Sequence, residues 1–465
     1  MVKCQRFLAL KKRHCKFDVV KGSEYCSYHQ AAADCVVCPL DPSHSIPPKR
    51  LMKHVTRCPK ARDSALEAVL PFVSEGINRC FEEESYEAVE VDLSTWKPQV
   101  EAWWDEMKRE NAKQLVPFIL GDPDELLVLE EGDLAADAKR WEEYWPPESP
   151  LHPVCRDLAD TLGVPDRIEG RVTERLRHEL QNKRLLEAAC QGGLLDHENL
   201  VVVELGAGKG ALTRWFVQLN QLRGTMTKCL LLEREKRRNN KEGKDSVMMM
   251  DKEVSTVRLR TDITHFDMAR FEKFLNSGDS TLMHPSDQCF TTPSVLLKLK
   301  KLGVEVPGLT PSLYLPYLRH IGSKSGTNPA LLESTLESWT GPKPFILVLA
   351  KHLCGVGLDI GLECASRGDL NNRGLVLSTC CHHRCLLSGL KGREYLQCDD
   401  NEWKFVLKSV GWATGSVGDQ QRVGLILRRL IDVARVRWLR SRGLTCKLVR
   451  YVSRGVTTEN VCIVG

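Results

Sequence analysis

The spacing of apolar positions changes character near residue 171. In RVTERLRHELQNKRLLEAAC (171–190), Leu176, Leu180, Leu185 and Ala189 recur at helical spacing, which predicts an amphipathic helix. Short apolar runs follow: LVVVEL (200–205), CLLLER (229–234), VRLRTDI (257–263), PFILVLA (344–350) and RGLVLST (373–379). Such runs, separated by helical or loop segments, predict an α/β fold, a mostly parallel sheet with helices on both faces. The connection at 270–343 is rich in Ser, Gly and Pro and reads as an insertion.

Upstream of 171 no such alternation exists. Residues 1–60 are dense in Cys, His, Lys and Pro, and the next stretch turns acidic and Trp-rich. The pattern divides the chain into small modules at 1–32 and 33–62, an acidic helical and linker region at 63–170, and one large domain at 171–465.

Composition narrows the class. The 465 residues are 42% hydrophobic and carry a formal net charge of +5, which permits an acidic partner without demanding one. The N-terminus, MVKCQRFLALKKRHC, does not read as a signal peptide. No apolar run approaches the roughly 18 residues that span a bilayer. An intracellular protein of the nucleus, the cytoplasm or both is expected, with no membrane partner. In that setting nineteen cysteines point to metal more than to disulfides.

Two ligand sets stand out. Cys4, Cys15, Cys26 and His29 have the spacing C-x10-C-x10-C-x2-H; Cys38, His44, His54 and Cys58 have C-x5-H-x9-H-x3-C. Each supplies the four nitrogen or sulfur ligands of a tetrahedral structural zinc, so two zinc ions are expected. Modules this small cannot build a core, so the metal supplies most of their folding energy. Cys35 is a spare thiol that could replace one of these ligands.

The large domain carries a nucleotide-type loop. Glu204-Leu205-Gly206-Ala207-Gly208-Lys209-Gly210 follows a strand and precedes the helical run ALTRWFVQL. The glycines permit a tight turn and close approach of backbone to ligand. Glu233, at the end of the next strand, is placed to accept from both hydroxyls of a ribose; Asp262 ends the third. A dehydrogenase-like nucleotide domain, or a plain turn, is the alternative. No P-loop Lys-Ser/Thr pair follows the glycines, which argues against an ATPase.

Two polar patches close later strands: Lys351-His352-Leu353-Cys354-Gly355, and Cys380-Cys381-His382-His383-Arg384-Cys385. Ligands of open parallel sheets bind beyond the carboxyl ends of the strands, so both patches should face the crevice of the glycine loop. The second patch lacks zinc-finger spacing, and adjacent cysteines rarely converge on one ion, so catalysis or substrate positioning is the preferred reading. Buried core thiols are the bland alternative for Cys354, Cys380 and Cys381.

Taken in order, the two fingers, E-x-G-A-G-K-G, RLRTDI, K-H-L-C-G and C-C-H-H-R-C resemble the eukaryotic tRNA 2′-O-methyltransferases that modify position 4 of the acceptor stem. The second finger also resembles the CHHC finger of a minor-spliceosome protein. The resemblance implies a class I, Rossmann-like methyltransferase domain with S-adenosylmethionine as donor and tRNA as partner. It implies donor binding by Glu204, Gly206, Gly208, Gly210, Glu233 and Asp262. Lys351 would steady the 2′-oxyanion, and His382 or His383 would take the proton, with Arg384 beside them. Phosphate contacts are expected from Arg171, Arg175, Arg177, Lys183 and Arg184, and from the C-terminal helix through Arg428, Arg429, Arg435, Arg437, Arg440 and Arg442. The rivals are a same-fold base or protein methyltransferase and a non-enzymatic zinc-finger RNA binder.

Overall fold

The computed structural model describes parts of 3–54, most of 72–81 and 92–119, and then 173–234, 254–277 and 335–465 with short gaps at 225–226, 260, 397 and 453–455. It divides into two compact units, one of residues 1–70 with 281–331, the other of 71–280 with 332–465.

The first unit holds two small hairpins. β1 (Phe7–Leu8) pairs antiparallel with β2 (Arg13–His14), and β3 (Val36–Val37) with β4 (Ser45–Ile46). Two-residue strands cannot hold themselves in water. What is buried around the first hairpin is Cys4, Cys15 and Cys26, a sulfur cluster in the place of a hydrophobic core.

The second unit is built on a seven-stranded sheet. Its strands are β5 (Leu200–Leu205), β6 (Thr227–Leu232), β7 (Val254–Leu259), β8 (Phe345–Ala350), β9 (Arg373–Ser378), β10 (Lys447–Arg450) and β11 (Val461–Val464). Their order is β10-β11-β9-β8-β5-β6-β7. β5 to β9 run parallel; β11 pairs antiparallel with both β9 and β10. Every residue of β5, β8 and β9 is buried, which explains why these runs are mostly apolar rather than alternating, with Glu204, Arg373 and Ser378 as enclosed polar exceptions. The last two strands were not anticipated from the sequence: each is four residues long, too short for a periodic signal.

The helices are α1 (Leu93–Ala112), α2 (Glu174–Gln191), α3 (Ala211–Leu222), α4 (Met268–Ser277), α5 (Val356–Ala365), α6 (Asp400–Ser409), α7 (Trp412–Gly415) and α8 (Gly418–Ser441). α2 begins where Thr173 caps it, its hydroxyl accepting from Leu176 N at 3.3 Å. Leu180, Leu185 and Ala189 then join α3 and one sheet face in a shared core with Trp215, Phe216, Leu347 and Val376.

Two stretches differ from the sequence reading for packing reasons. Parts of the acidic region belong to the core of this unit: Phe72 packs edge-on against Phe271 at 5.1 Å, and Trp104 and Phe118 are buried. The stretch read as an insertion opens with α4, whose Phe271, Phe274 and Leu275 are buried.

Chain order reverses at β5, which is followed by β6 and β7 on one side and flanked by β8 and β9 on the other. A crevice forms at the carboxyl ends of the strands where an α/β sheet reverses in this way. The loops leaving β5 and β8 therefore meet there.

Candidate active site

At the end of β5 the chain turns through Gly206, Gly208 and Gly210, with φ of 63°, 55° and 71°. These are left-handed values that side chains disfavour. A Cβ on Gly206 would lie 2.7 Å from Leu353 Cδ2, so this turn packs directly on the loop after β8. At Gly208 a Cβ would meet only the Gly206 carbonyl oxygen, at 4.0 Å. The loop thus presents bare backbone to open space, a cradle that suits a ligand.

Acidic residues stand at or just beyond the ends of β5, β6 and β7. Glu233, just beyond β6, accepts from Gly208 N at 2.8 Å, and Arg258 of β7 donates to the Gly208 carbonyl at 3.0 Å. Glu204 is buried and turned toward α3, where it accepts from Thr213 N at 3.1 Å and from the Thr213 hydroxyl. Asp262 caps the short turn 263–265, accepting from Thr264 N at 3.0 Å, with Arg234 at 3.6 Å. Burial alone would raise its carboxyl, but the Thr264 bonds and Arg234 outweigh that and hold it low.

Lys351, the first residue after β8, is buried. Its Nζ donates to the His178 carbonyl at 2.9 Å and to Asn182 Oδ1 at 2.8 Å, both on α2. Its neighbour His352 packs edge-on to His178 with ring centroids 5.7 Å apart. Desolvation first, and then the charge of Lys351, push the His352 ring down to about 4, so it is neutral near pH 7.

After β9 the chain makes a short turn, His382–Arg384. His382 is buried and its Nε2 lies 2.8 Å from Asp432 Oδ1 on α8, while its Nδ1 has no hydrogen-bond partner among the described residues. His383 and Arg384 are exposed. The sulfurs of Cys354, Cys380 and Cys381 lie within 4.8 Å of one another at this same edge of the sheet. Cys380 hydrogen-bonds the Cys354 sulfur, which holds the Cys354 thiol down and its own up.

The finger ligands fit a metal where they are described. Cys4, Cys15 and Cys26 place their sulfurs within 4.8 Å of one another, and Cys38 Sγ lies 3.2 Å from His54 Nε2. His29, His44, Cys58 and the spare Cys35 lie outside the described residues, as does Arg171.

The expected basic surfaces need correction. Arg428, Arg429 and Arg435 are buried in α8, and Lys183 is buried in α2. Arg435 grips Asp359 with two bonds of 3.0 and 2.8 Å, Arg429 donates to Asp432 at 2.8 Å, and Arg428 donates to the Val410 carbonyl at 3.1 Å. Arg184 pairs with Glu187 at 2.7 Å. The enclosed guanidinium groups of Arg428, Arg429 and Arg435 cannot reach a phosphate. Arg175, Arg177 and Arg442 remain exposed. The error lay in counting charges along helices whose sides are both covered.

Sequence reasoning also missed Asp432 and Asn182, the partners of His382 and Lys351. Neither stands in a motif with its partner; they lie 50 and 169 residues away. The thiol cluster had a visible signal in K-H-L-C-G and C-C-H-H-R-C, but not one that joined Cys354 to the other two.

Comparison with known proteins agrees with this layout. A family model described as methyltransferase TRM13 matches residues 180–283, 332–420 and 416–465. The CCCH zinc finger of TRM13 proteins matches 2–30, and a U11-48K-like CHHC zinc finger matches 36–59. A Kluyveromyces lactis protein named tRNA:m(4)X modification enzyme TRM13 is 22% identical, covering 99% of this chain and 94% of the relative. The protein of that name from Saccharomyces cerevisiae is 21% identical over 99% of this chain and 95% of its own length. One from Oryza sativa is 38% identical over 16% of this chain and 34% of its own. No solved structure matches at a significant level. Among the described residues, no helix is long and apolar enough to cross a membrane.

Proposed function

The chain belongs to the methyltransferase TRM13 family, and on that premise we propose that it methylates the ribose 2′-hydroxyl at position 4 of tRNA acceptor stems. It is a tRNA methyltransferase, and the Kluyveromyces lactis and Saccharomyces cerevisiae relatives match its sequence over nearly their full length. The observation that carries the reading is the convergence of two loops: the bare glycine turn after β5 packs on the loop that holds Lys351. We read the sheet as the class I, Rossmann-like type, because the glycine cradle sits where the strand order reverses.

Bound in that cradle, S-adenosylmethionine would supply an electrophilic methyl group. The glycine loop would take its amino-acid end and Glu233 its ribose hydroxyls, exchanging the present bond from Gly208. Asp262 stands where the base would lie. The acceptor hydroxyl of an A-form stem is open in the shallow minor groove, so no nucleotide has to be flipped out. The chain's own task is to place that oxygen and manage its proton. Lys351, held against α2 by the His178 carbonyl and Asn182 Oδ1, is the cation we assign to steady a developing oxyanion. His383 is the exposed histidine of the pair and is the reachable proton acceptor, with Arg384 beside it for a phosphate. His382, enclosed against Asp432, positions the turn that carries them.

In this reading the two fingers each hold one zinc ion, through Cys4, Cys15, Cys26 and His29 and through Cys38, His44, His54 and Cys58, and dock the tRNA. A tRNA substrate and thiol-rich zinc sites support reading the nucleus or cytoplasm as the place of work. The deciding experiment incubates the full chain with tRNA and isotopically labelled donor and then locates the label by mass spectrometry of nuclease fragments. A label on the position-4 ribose is expected; a label on a base, or none, rejects the assignment.

A further inference from the structure

We propose that Cys354, Cys380 and Cys381 form a third metal site, of the zinc-thiolate class, that ties the loop after β8 to the loop after β9. Its three thiols belong to neither finger's ligand set, and the proposal stands apart from the methyl-transfer reading, since it needs only the three sulfurs and their surroundings.

The spacing of the sulfurs is the first argument. All three lie within 4.8 Å of one another, and Cys380 Sγ is 3.9 Å from Cys354 Sγ. A tetrahedral zinc with bonds of about 2.3 Å sets its sulfurs about 3.8 Å apart. The N-terminal finger shows the same figure, Cys15 Sγ to Cys26 Sγ being 3.9 Å. Two thiol clusters in one chain thus share this sulfur spacing, and one of them is matched by a zinc-finger family.

The backbone is bent to make this cluster. Neighbouring residues of an extended chain point their side chains apart, so Cys380 and Cys381 would not converge without a turn between them. Cys381 takes φ of 51°, in the left-handed region, a strained choice for a residue with a side chain. Gly355 has φ of 59°, and a Cβ there would collide with the backbone of Arg384. Only glycine beside Cys354 lets the two loops approach this closely. The objection that adjacent cysteines seldom share an ion is met by this turn.

The remaining contacts suit a charged ion. Glu459 Oε1 accepts from the Cys381 N–H at 3.0 Å, which sets a carboxylate oxygen beside the thiols. Cys354 is exposed, so the fourth position opens toward solvent with Glu459 next to it. Binding a divalent ion releases three thiol protons to solvent and requires no oxidant. A Cys354–Cys380 disulfide would instead require the sulfurs to close to about 2.0 Å and would leave Cys381 without a role. The site lies just beyond Lys351 and just before His382. The ion would hold the two catalytic loops in register.

The test compares the full chain with Cys354→Ser and with Cys354→Ser/Cys381→Ser, all purified without chelator. Zinc per chain is measured by mass spectrometry, and folding is checked by circular dichroism and donor binding. The double variant should hold about one zinc fewer than wild type. Adding Cys15→Ala should remove a further ion, because Cys15 belongs to a different set of ligands. With cobalt in place of zinc, the thiolate charge-transfer absorption should fall in the Cys354→Ser protein. Equal zinc in wild type and folded double variant would overturn the proposal. So would a metal-free wild-type chain whose intact mass, lower by two hydrogens, maps a disulfide to Cys354.

Discussion

His382 Nε2 and Asp432 Oδ1 lie 2.8 Å apart, both enclosed, joining the turn after β9 to the middle of α8. Asp432 is the hub of this region. It also accepts from Thr379 Oγ1 at 3.0 Å and from Arg429 at 2.8 Å, with Arg435 at 3.5 Å. A carboxylate that neutralises two enclosed guanidinium groups cannot be removed cheaply. Asp432→Ala should destabilise the fold by about 3–5 kcal/mol, the cost of leaving buried charge uncompensated. Urea unfolding measures this; a loss below about 1 kcal/mol would mean that water reaches the site.

The same cluster sets a pH dependence. Burial alone would raise the Asp432 carboxyl, but His382, Arg429 and Arg435 hold it well below the usual range. Burial lowers the His382 ring more than Asp432 raises it. Both groups have folded values below their unfolded ones, so the stability they contribute is present at high pH and lost as pH falls. The loss should begin below about pH 6.5 with His382 and steepen below about pH 4 with Asp432. His382→Gln should flatten the part between pH 7 and 5. An unfolding midpoint already flat over that interval in wild type would contradict the enclosed neutral histidine.

At the glycine turn the expectation is loss of binding without loss of fold. Gly208→Val places a side chain in the open cradle at a positive φ, and calorimetry should show no measurable donor binding. Gly206→Val differs, because its Cβ would strike Leu353 and disturb the packing between the two loops. Wild-type donor affinity in folded Gly208→Val protein would remove the turn from the donor site.

How far the sequence carried follows from the range of its signals. β5 was legible to the residue because six buried positions, all apolar but Glu204, are bounded by Asn199 and Gly206. The glycine turn was legible because its chemistry is local. The contacts that fix Lys351 were not, since Asn182 looks like an ordinary polar residue of an amphipathic helix until the sheet packs against it. Arg429 and Arg435 misled for the opposite reason: a charge pattern looks solvated until Asp432 and Asp359 are brought under it.

The catalytic assignments separate by kinetics. Lys351→Met and His383→Ala should lower the single-turnover rate roughly 10²-fold or more while changing tRNA affinity little, because their proposed contacts strengthen in the transition state. Lys351→Met also leaves Asn182 Oδ1 and the His178 carbonyl without their donor. Its folding must therefore be confirmed by donor binding. Near-normal rates in both variants would move the chemistry elsewhere, with His352 the next neutral base to test.

The last prediction concerns the division of labour and depends on where the chain is cut. The change in sequence pattern near 171 suggests that the catalytic part begins there. Packing argues otherwise: Phe72 is enclosed by Phe266 and Phe271, Trp104 is buried, and Trp96 stacks on Phe405 at 4.3 Å. Losing one such ring costs about 3–5 kcal/mol, so a chain starting near 148 loses several and should not fold stably. A chain starting at Pro71 keeps them. It should bind S-adenosylmethionine as tightly as the full protein, since the glycine turn, Glu233 and Asp262 are intact. Without the fingers it should bind tRNA more weakly, methylate it slowly at low tRNA concentration, and show a shallower dependence of affinity on salt, because fewer phosphates are contacted. Filter binding and single-turnover rates on both chains decide the matter. Equal tRNA affinity and equal rates would show that the fingers serve another partner and that residues 71–465 find the acceptor stem unaided.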